Sequence, residues 1–291
     1  MKSAIVLLGY GSPDSRDHII EYLRDVYGGR EPPQRAVEET MNKYAAFGYK
    51  SPSTEILYSL RDKLEKSLPE HDIYLGFKHW KPSMRDTASA VIQKGYSDIY
   101  LVPLFPIRNK SILKSYNIPF MEFLGNNSGV NAKMINGMEE IPDLFNHWAQ
   151  SLGSIYRDSG DMVIFTAHSL PYKVSEEKEY YSGFVSMAAR IAESLGITHW
   201  TYAFQSKGAY GSGWLEPSVQ LRLEELKTEH FRRVLTVPIG FYYDHLEVLY
   251  DLDTIFGNSV RERGLEYVRA QLPNDSDKSV NIIKKGVEMV K

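Results

Sequence analysis

The chain has 291 residues, 43% of them hydrophobic and 24% charged, with a net charge of -3. This is ordinary globular composition with enough apolar content for a large core, and a slightly acidic balance argues against a general nucleic-acid binder. There is no cysteine, which excludes disulfides, thiolate nucleophiles, iron–sulfur clusters and cysteine zinc sites; any metal must meet His, carboxylate, Tyr or backbone oxygen.

The first apolar run, Ala4-Ile5-Val6-Leu7-Leu8, ends at Gly9-Tyr10-Gly11 with no small-residue cleavage site. It reads as a buried strand over Ala4–Gly9 and not as a signal peptide. An amphipathic helix is expected over Thr54–Leu68, a strand over Ile73–Lys78, a helix over Asp86–Lys94 and a strand over Ile99–Pro103. The stretch Leu104–Tyr116 joins apolar residues to Arg108, Lys110 and Lys114. It serves either as a lip for an anionic ligand or as an amphipathic helix with solvated lysines. Then come strand Ala132–Ile135, helix Pro142–Tyr156, strand Met162–Ala167, helix Glu177–Leu195, strand His199–Phe204, helix Ser218–His230, and strands Arg233–Val237 and Tyr267–Ala270. The last segment, Asp277–Val290, reads as a helix with Ser279, Ile282, Ile283, Val287 and Val290 on one face. No apolar stretch approaches the roughly 20 residues of a membrane span.

Strands that alternate with helices and are apolar nearly throughout imply βαβ units and a parallel sheet, hence an α/β fold. The pattern divides into two similar halves, 1–145 and 146–275, with 276–291 as a helix packing back across them. Each half opens with an apolar strand that ends in a polar turn, one at Tyr10 and the other at His168. Ligands of open α/β sheets bind beyond the carboxyl ends of strands, so a cleft between the halves is expected to present both residues.

Two glycine-containing segments are discounted as phosphate loops. Gly9-Tyr10-Gly11 lacks the third glycine of a dinucleotide loop and is followed by Pro13. The Gly208–Gly213 segment lacks the Lys-Ser/Thr of a P-loop and reads as a loop shaping the mouth of the cleft.

Four ordered segments stand out: Thr166-Ala167-His168-Ser169-Leu170-Pro171; Phe204-Gln205-Ser206-Lys207; Trp214-Leu215-Glu216-Pro217; and Pro238 to Asp251, containing Asp244-His245-Leu246-Glu247. Together they closely resemble the C-terminal half of ferrochelatases. Gly9-Tyr10-Gly11-Ser12-Pro13, Gly29-Arg30-Glu31-Pro32-Pro33, Ser51-Pro52, Gly76-Phe77-Lys78-His79 and Ser115-Tyr116 fall where that family has similar elements, so the resemblance covers most of the chain.

The resemblance implies two Rossmann-like, chelatase-type domains and a cytoplasmic lyase of haem biosynthesis. It would insert ferrous iron into protoporphyrin IX or coproporphyrin III. Porphyrin and ferrous iron are then substrates, with no tightly bound cofactor. A monomer is expected, with transient contact with haem-pathway enzymes. Metalling a porphyrin removes two pyrrole protons and delivers a dehydrated cation, tasks suited to a near-neutral base beside a carboxylate. The resemblance assigns His168 and Glu247 to these tasks without dividing base from metal ligand. It adds Asp251 as a metal residue, and Tyr10, Arg30, Ser115, Tyr116 and Trp214 as substrate contacts. Asp244 and His79 fall in supporting places. Asp244, Glu247 and Asp251 share one face of an α-helix, so they form either a carboxylate ladder or, for Asp244-x-x-Glu247, a capping box. His245 is expected to be structural.

The sequence departs from the family's usual pattern at Ile255, where the ladder often has another acid, at Pro106, and at Tyr27-Gly28, where some members carry arginines. Outer metal binding and propionate recognition are expected to differ accordingly. Two other readings are a sirohydrochlorin chelatase using cobalt, nickel or iron, and a non-catalytic tetrapyrrole-binding protein.

Overall fold

In the computed structural model, which describes residues 3–124, 129–171, 178–208, 213–227 and 230–291, the chain forms two units. One comprises Met1–Leu104, Lys110–Asn136 and Asn274–Lys291; the other comprises Phe105–Asn109 and Gly137–Pro273.

The first unit is built on β1 (Ser3–Gly9), β2 (His71–Phe77), β3 (Asp98–Pro103) and β4 (Asn131–Met134), in sheet order β2-β1-β3-β4. All neighbours are parallel; Ile5 pairs with both Ile73 and Tyr100. Strand β1 is apolar on both faces because helices cover both. Its helices are α1 (Ile19–Val26), α2 (Gln34–Ala45), α3 (Ser53–Ser67), α4 (Met84–Gln93) and α5 (Lys110–Leu124). On one face Val6, Leu8, Ala88, Ile99, Leu101 and Phe120 make a continuous core. Neither α1 nor α2 was expected from the sequence. Only Ile19 and Leu23 in α1, and Ala36 and Tyr44 in α2, are buried, too few to print a helical period.

The second unit repeats the arrangement. Strands β5 (Asp161–His168), β6 (Trp200–Gln205), β7 (Arg233–Val237) and β8 (Glu266–Arg269) stand in the order β6-β5-β7-β8, again all parallel. Helices α6 (Pro142–Gly153), α7 (Lys178–Ser194), α8 (Val219–Glu225) and α9 (Gly257–Glu262) flank it, and a π-helix spans Glu247–Phe256. The final helix is α10 (Asp277–Val290). Helix α8 stops short of the expected His230.

The units differ from the expected halves at two places. Helix α6 packs on α7, which draws residues from Gly137 onward into the second unit. Helix α10 packs on α3 and β3 of the first unit. Asp275, just before it, accepts hydrogen bonds from Ser59 at 2.5 Å and Lys63 at 3.2 Å. Among the described residues no helix is long and apolar enough to cross a membrane.

One buried ion pair ties β5 to β7 at their starts. Asp161 and Arg233 are register partners. The guanidinium donates through Nε to Oδ1 at 2.7 Å and through Nη2 to Oδ2 at 2.5 Å. Burial alone would raise the Asp161 pKa, but the bonds from Arg233 and from the Arg157 N–H hold it below the ordinary carboxylate value. Its stabilising contribution is therefore present above the unfolded carboxylate pKa and lost as pH falls through the lower folded value. Asp161→Ala leaves Arg233 buried and uncompensated, so we expect a loss of about 3–5 kcal/mol. Urea denaturation at pH 7 measures it; a loss near zero would mean that water satisfies the guanidinium.

Candidate active site

Strand β5 ends at His168, opposite Gln205 at the end of β6. The chain leaving β7 turns back over β5, and Gly240 N–H donates to the Thr166 carbonyl at 3.1 Å. A Cβ on Gly240 would lie 2.6 Å from Ala167 Cα, so this approach requires glycine. The turn delivers the π-helix that begins at Glu247. The Glu247 carboxylate Oε2 stands 3.4 Å from His168 Nε2, with the imidazole about one quarter exposed and the carboxylate 41% exposed.

The imidazole is held from behind. Its Nδ1 lies 2.5 Å from the Ser169 carbonyl, which can only accept, so Nδ1 carries a proton and Nε2 is the atom offered to Glu247. Buried Tyr180 donates its hydroxyl to the His168 carbonyl at 2.9 Å. Burial pushes the His168 pKa down. The Glu247 charge and hydrogen bond, the Ser169 carbonyl and the Asp251 charge outweigh it, so the pKa lies above the ordinary histidine value.

The other acids of this segment are placed differently. Asp251 Oδ2 accepts a hydrogen bond from Ser206 Oγ at 2.6 Å. Asp244 lies before the π-helix, and its carboxylate pairs with Arg269 of β8 at 3.1 Å. Arg269 also holds Asp253 at 2.8 Å. The capping-box expectation for Asp244 is thus corrected: the helix starts at Glu247, its N-cap is Leu246, and no side chain caps it. His245 is structural, as expected. Its Nδ1 accepts the Glu247 N–H at 3.2 Å, and burial pushes its pKa down, which keeps that nitrogen free to accept. Among the described residues no group of three or more His, Asp or Glu side chains is placed to hold a metal ion. His168 and Glu247 form a pair, and Asp251 does not join them as a ready-made three-ligand set.

Trp214 is partly buried and bridges Pro171. Its ring lies so close over Gly208 that a Cβ there would be 2.7 Å away. Residues 209–212, most of the loop expected to shape the cleft mouth, lie outside the described residues.

In the first unit, Tyr10 follows β1 and is 42% exposed. Its ring meets His79 edge-on at 4.7 Å between centroids. His79 Nδ1 is 2.7 Å from Asp25, and burial draws the imidazole pKa down despite that carboxylate. Lys78 Nζ donates to Ser115 Oγ at 2.9 Å and lies 5.5 Å from the centre of the Tyr116 ring. Tyr116 itself is a core residue, 6% exposed and packed in the apolar cluster, which corrects its expected place on a binding surface. Arg30 is exposed, and its Nε donates to the Tyr27 carbonyl at 3.1 Å. Arg108, expected near ligand carboxylates, belongs to the second unit, where its guanidinium is paired with Glu140. Sequence reasoning missed Tyr180 and the contacts made by Gln205 and Ser206, although the Phe204-Gln205-Ser206-Lys207 segment was itself conspicuous.

Comparison with known proteins shows the family. The Ferrochelatase family model matches residues 2–290. A ferrochelatase from Thermoplasma volcanium is 35% identical, covering 98% of this chain and 92% of its own length. A coproporphyrin III ferrochelatase from Geobacillus thermodenitrificans is 30% identical, covering 93% of this chain and 90% of its own. Among solved structures, the sirohydrochlorin chelatase SirB from Bacillus subtilis subspecies spizizenii, in complex with cobalt, shares the fold with a TM-score of 0.64. It covers 100% of this chain and 96% of its own at 10% identity. The chain belongs to the ferrochelatase family.

Proposed function

We propose that this enzyme inserts ferrous iron into a porphyrin with His168 as the base and Glu247 as the carboxylate that serves both proton and metal. The observation that carries this reading is the 3.4 Å contact between His168 Nε2 and Glu247 Oε2, with Nδ1 committed to the Ser169 carbonyl. An imidazole so oriented presents a lone pair in its neutral form. It takes a pyrrole proton to become an imidazolium, and the neighbouring carboxylate stabilises that cation. The second pyrrole proton follows the same way after the first has passed to solvent. Glu247, 41% exposed, also offers oxygen to the incoming ferrous ion, and Asp251 adds negative charge to attract it. Tyr10, exposed beyond the end of β1, is a candidate aromatic contact for a porphyrin. The names of the relatives support ferrochelation, whereas likeness to the sirohydrochlorin enzyme is one of fold. Protoporphyrin IX and coproporphyrin III both fit the reading; an anaerobic absorption assay with ferrous iron and each porphyrin in parallel separates them by rate.

His168→Ala should lower the rate of metal insertion by about 100-fold or more, the range for loss of a general base, while leaving porphyrin affinity nearly unchanged. Near-normal turnover in that variant would rule out the role. The neutral base predominates only above its pKa, so the rate should climb as pH rises through a value above that of an ordinary histidine. Glu247→Gln removes the main opposing influence to burial, so its rising limb should move to lower pH and its rate should fall; a pH–rate profile that keeps the wild-type limb would count against the pairing. Asp251→Asn should raise the ferrous concentration needed for half-maximal rate, which a metal titration at saturating porphyrin measures.

A further inference from the structure

Three hydrogen bonds meet at two consecutive residues where β6 ends. The Gln205 main-chain carbonyl accepts the N–H of Ser169, the residue after His168, at 2.8 Å. The Gln205 side chain donates through Nε2 to the Glu247 main-chain carbonyl at 3.0 Å. Ser206 Oγ reaches Asp251 at 2.6 Å. Side chains therefore hold both polar main-chain atoms of Glu247: Gln205 takes the carbonyl and His245 takes the N–H.

Both residues carry a local cost. Gln205 is 3% exposed, and with Nε2 committed as donor its Oε1 is buried without a hydrogen-bond partner among the described residues. Ser206 stands at a φ of 58°, in the left-handed region that non-glycine residues avoid. Unfavourable features that persist side by side mark a place where geometry is held for function.

We infer that Gln205 and Ser206 are positioning residues for metal insertion: Gln205 fixes the Glu247 main chain against the strand end that carries His168, and Ser206 aims the Asp251 carboxylate. The inference rests on the roles given above to His168, Glu247 and Asp251. A merely structural tie between β6 and the π-helix would affect stability and leave the chemistry of each folded molecule unchanged.

Four variants separate these roles. Each is followed by thermal melting, by an absorption titration that counts porphyrin-competent sites, and by kinetics expressed per competent site. Gln205→Met keeps length and bulk but loses the donor. Its kcat should fall about tenfold, as a small misplacement of reacting groups does, with porphyrin affinity unchanged. Ser206→Gly relaxes the backbone and removes the hydroxyl together. It should melt no lower than the parent, yet its KM for ferrous iron should rise about tenfold, as when a partner of a metal-binding carboxylate is removed. Ser206→Asn, which tolerates positive φ and retains a donor, should recover most of that loss. Unchanged kcat in Gln205→Met, or unchanged iron dependence in Ser206→Gly, overturns the inference. If Gln205→Met does not fold, Ser206→Gly decides alone. Glu247→Gln runs alongside. If it is inactive while the other variants behave as the parent, only the positioning roles fail; if it turns over normally, the reading beneath them fails as well.

Discussion

Parallel strands all leave a sheet by the same edge, and the proposed reactive pair, His168 and Glu247, depends on that constraint. Because β5 lies between β6 and β7, the ends of all three are neighbours, although they carry residues as far apart in sequence as His168, Gln205 and Gly240. Register completes the arrangement by placing Gln205 beside His168. The remaining freedom, how the chain leaving β7 passes over β5, is removed where Gly240 meets Ala167 at a distance no side chain would permit. A base and a carboxylate thus approach each other from different crossover connections.

Charge is distributed as carefully as backbone. The segment from Asp244 to Asp253 carries four carboxylates, and Arg269 pairs with the first and the last. That leaves Glu247 and Asp251 as the anions that act on His168, and they overcome the burial that would otherwise drive the imidazole neutral. Arg269 sits at the end of β8, the sheet's edge strand, so the outermost strand holds the two carboxylates that flank Glu247 and Asp251.

Much of this was legible from residues alone. Each strand among the described residues had a counterpart in the sequence pattern, and β1, β3, β5 and β7 were clearest because buried parallel strands are short apolar runs with polar ends. His168 and Glu247 stood out because the segments around them resemble a known family. The π-helix was not legible. Its buried residues, Val248, Leu252 and Phe256, are spaced by four, a pattern that an α-helix accommodates equally well. Asp244 could be read as a rung of a ladder or as a cap because both patterns are local, whereas its partner, Arg269, is distant in sequence. Tyr116 looked like a ligand contact because a motif shows which residue is present, not which face of α5 it occupies. The bonds of Gln205 and Ser206 depend on strand register and helix placement together, which no single segment encodes.

The absence of thiolate ligands has a consequence for selectivity. A nitrogen and oxygen donor set binds copper and zinc more tightly than ferrous iron, following the Irving–Williams order. Where His168 and Glu247 meet the metal, affinity alone therefore works against the physiological ion. Fidelity for iron must come from what reaches the pair and from how quickly each ion sheds water and enters the ring. The same openness makes stray zinc a natural competitor, and it ties the product's purity to the metal composition of the compartment in which the enzyme works.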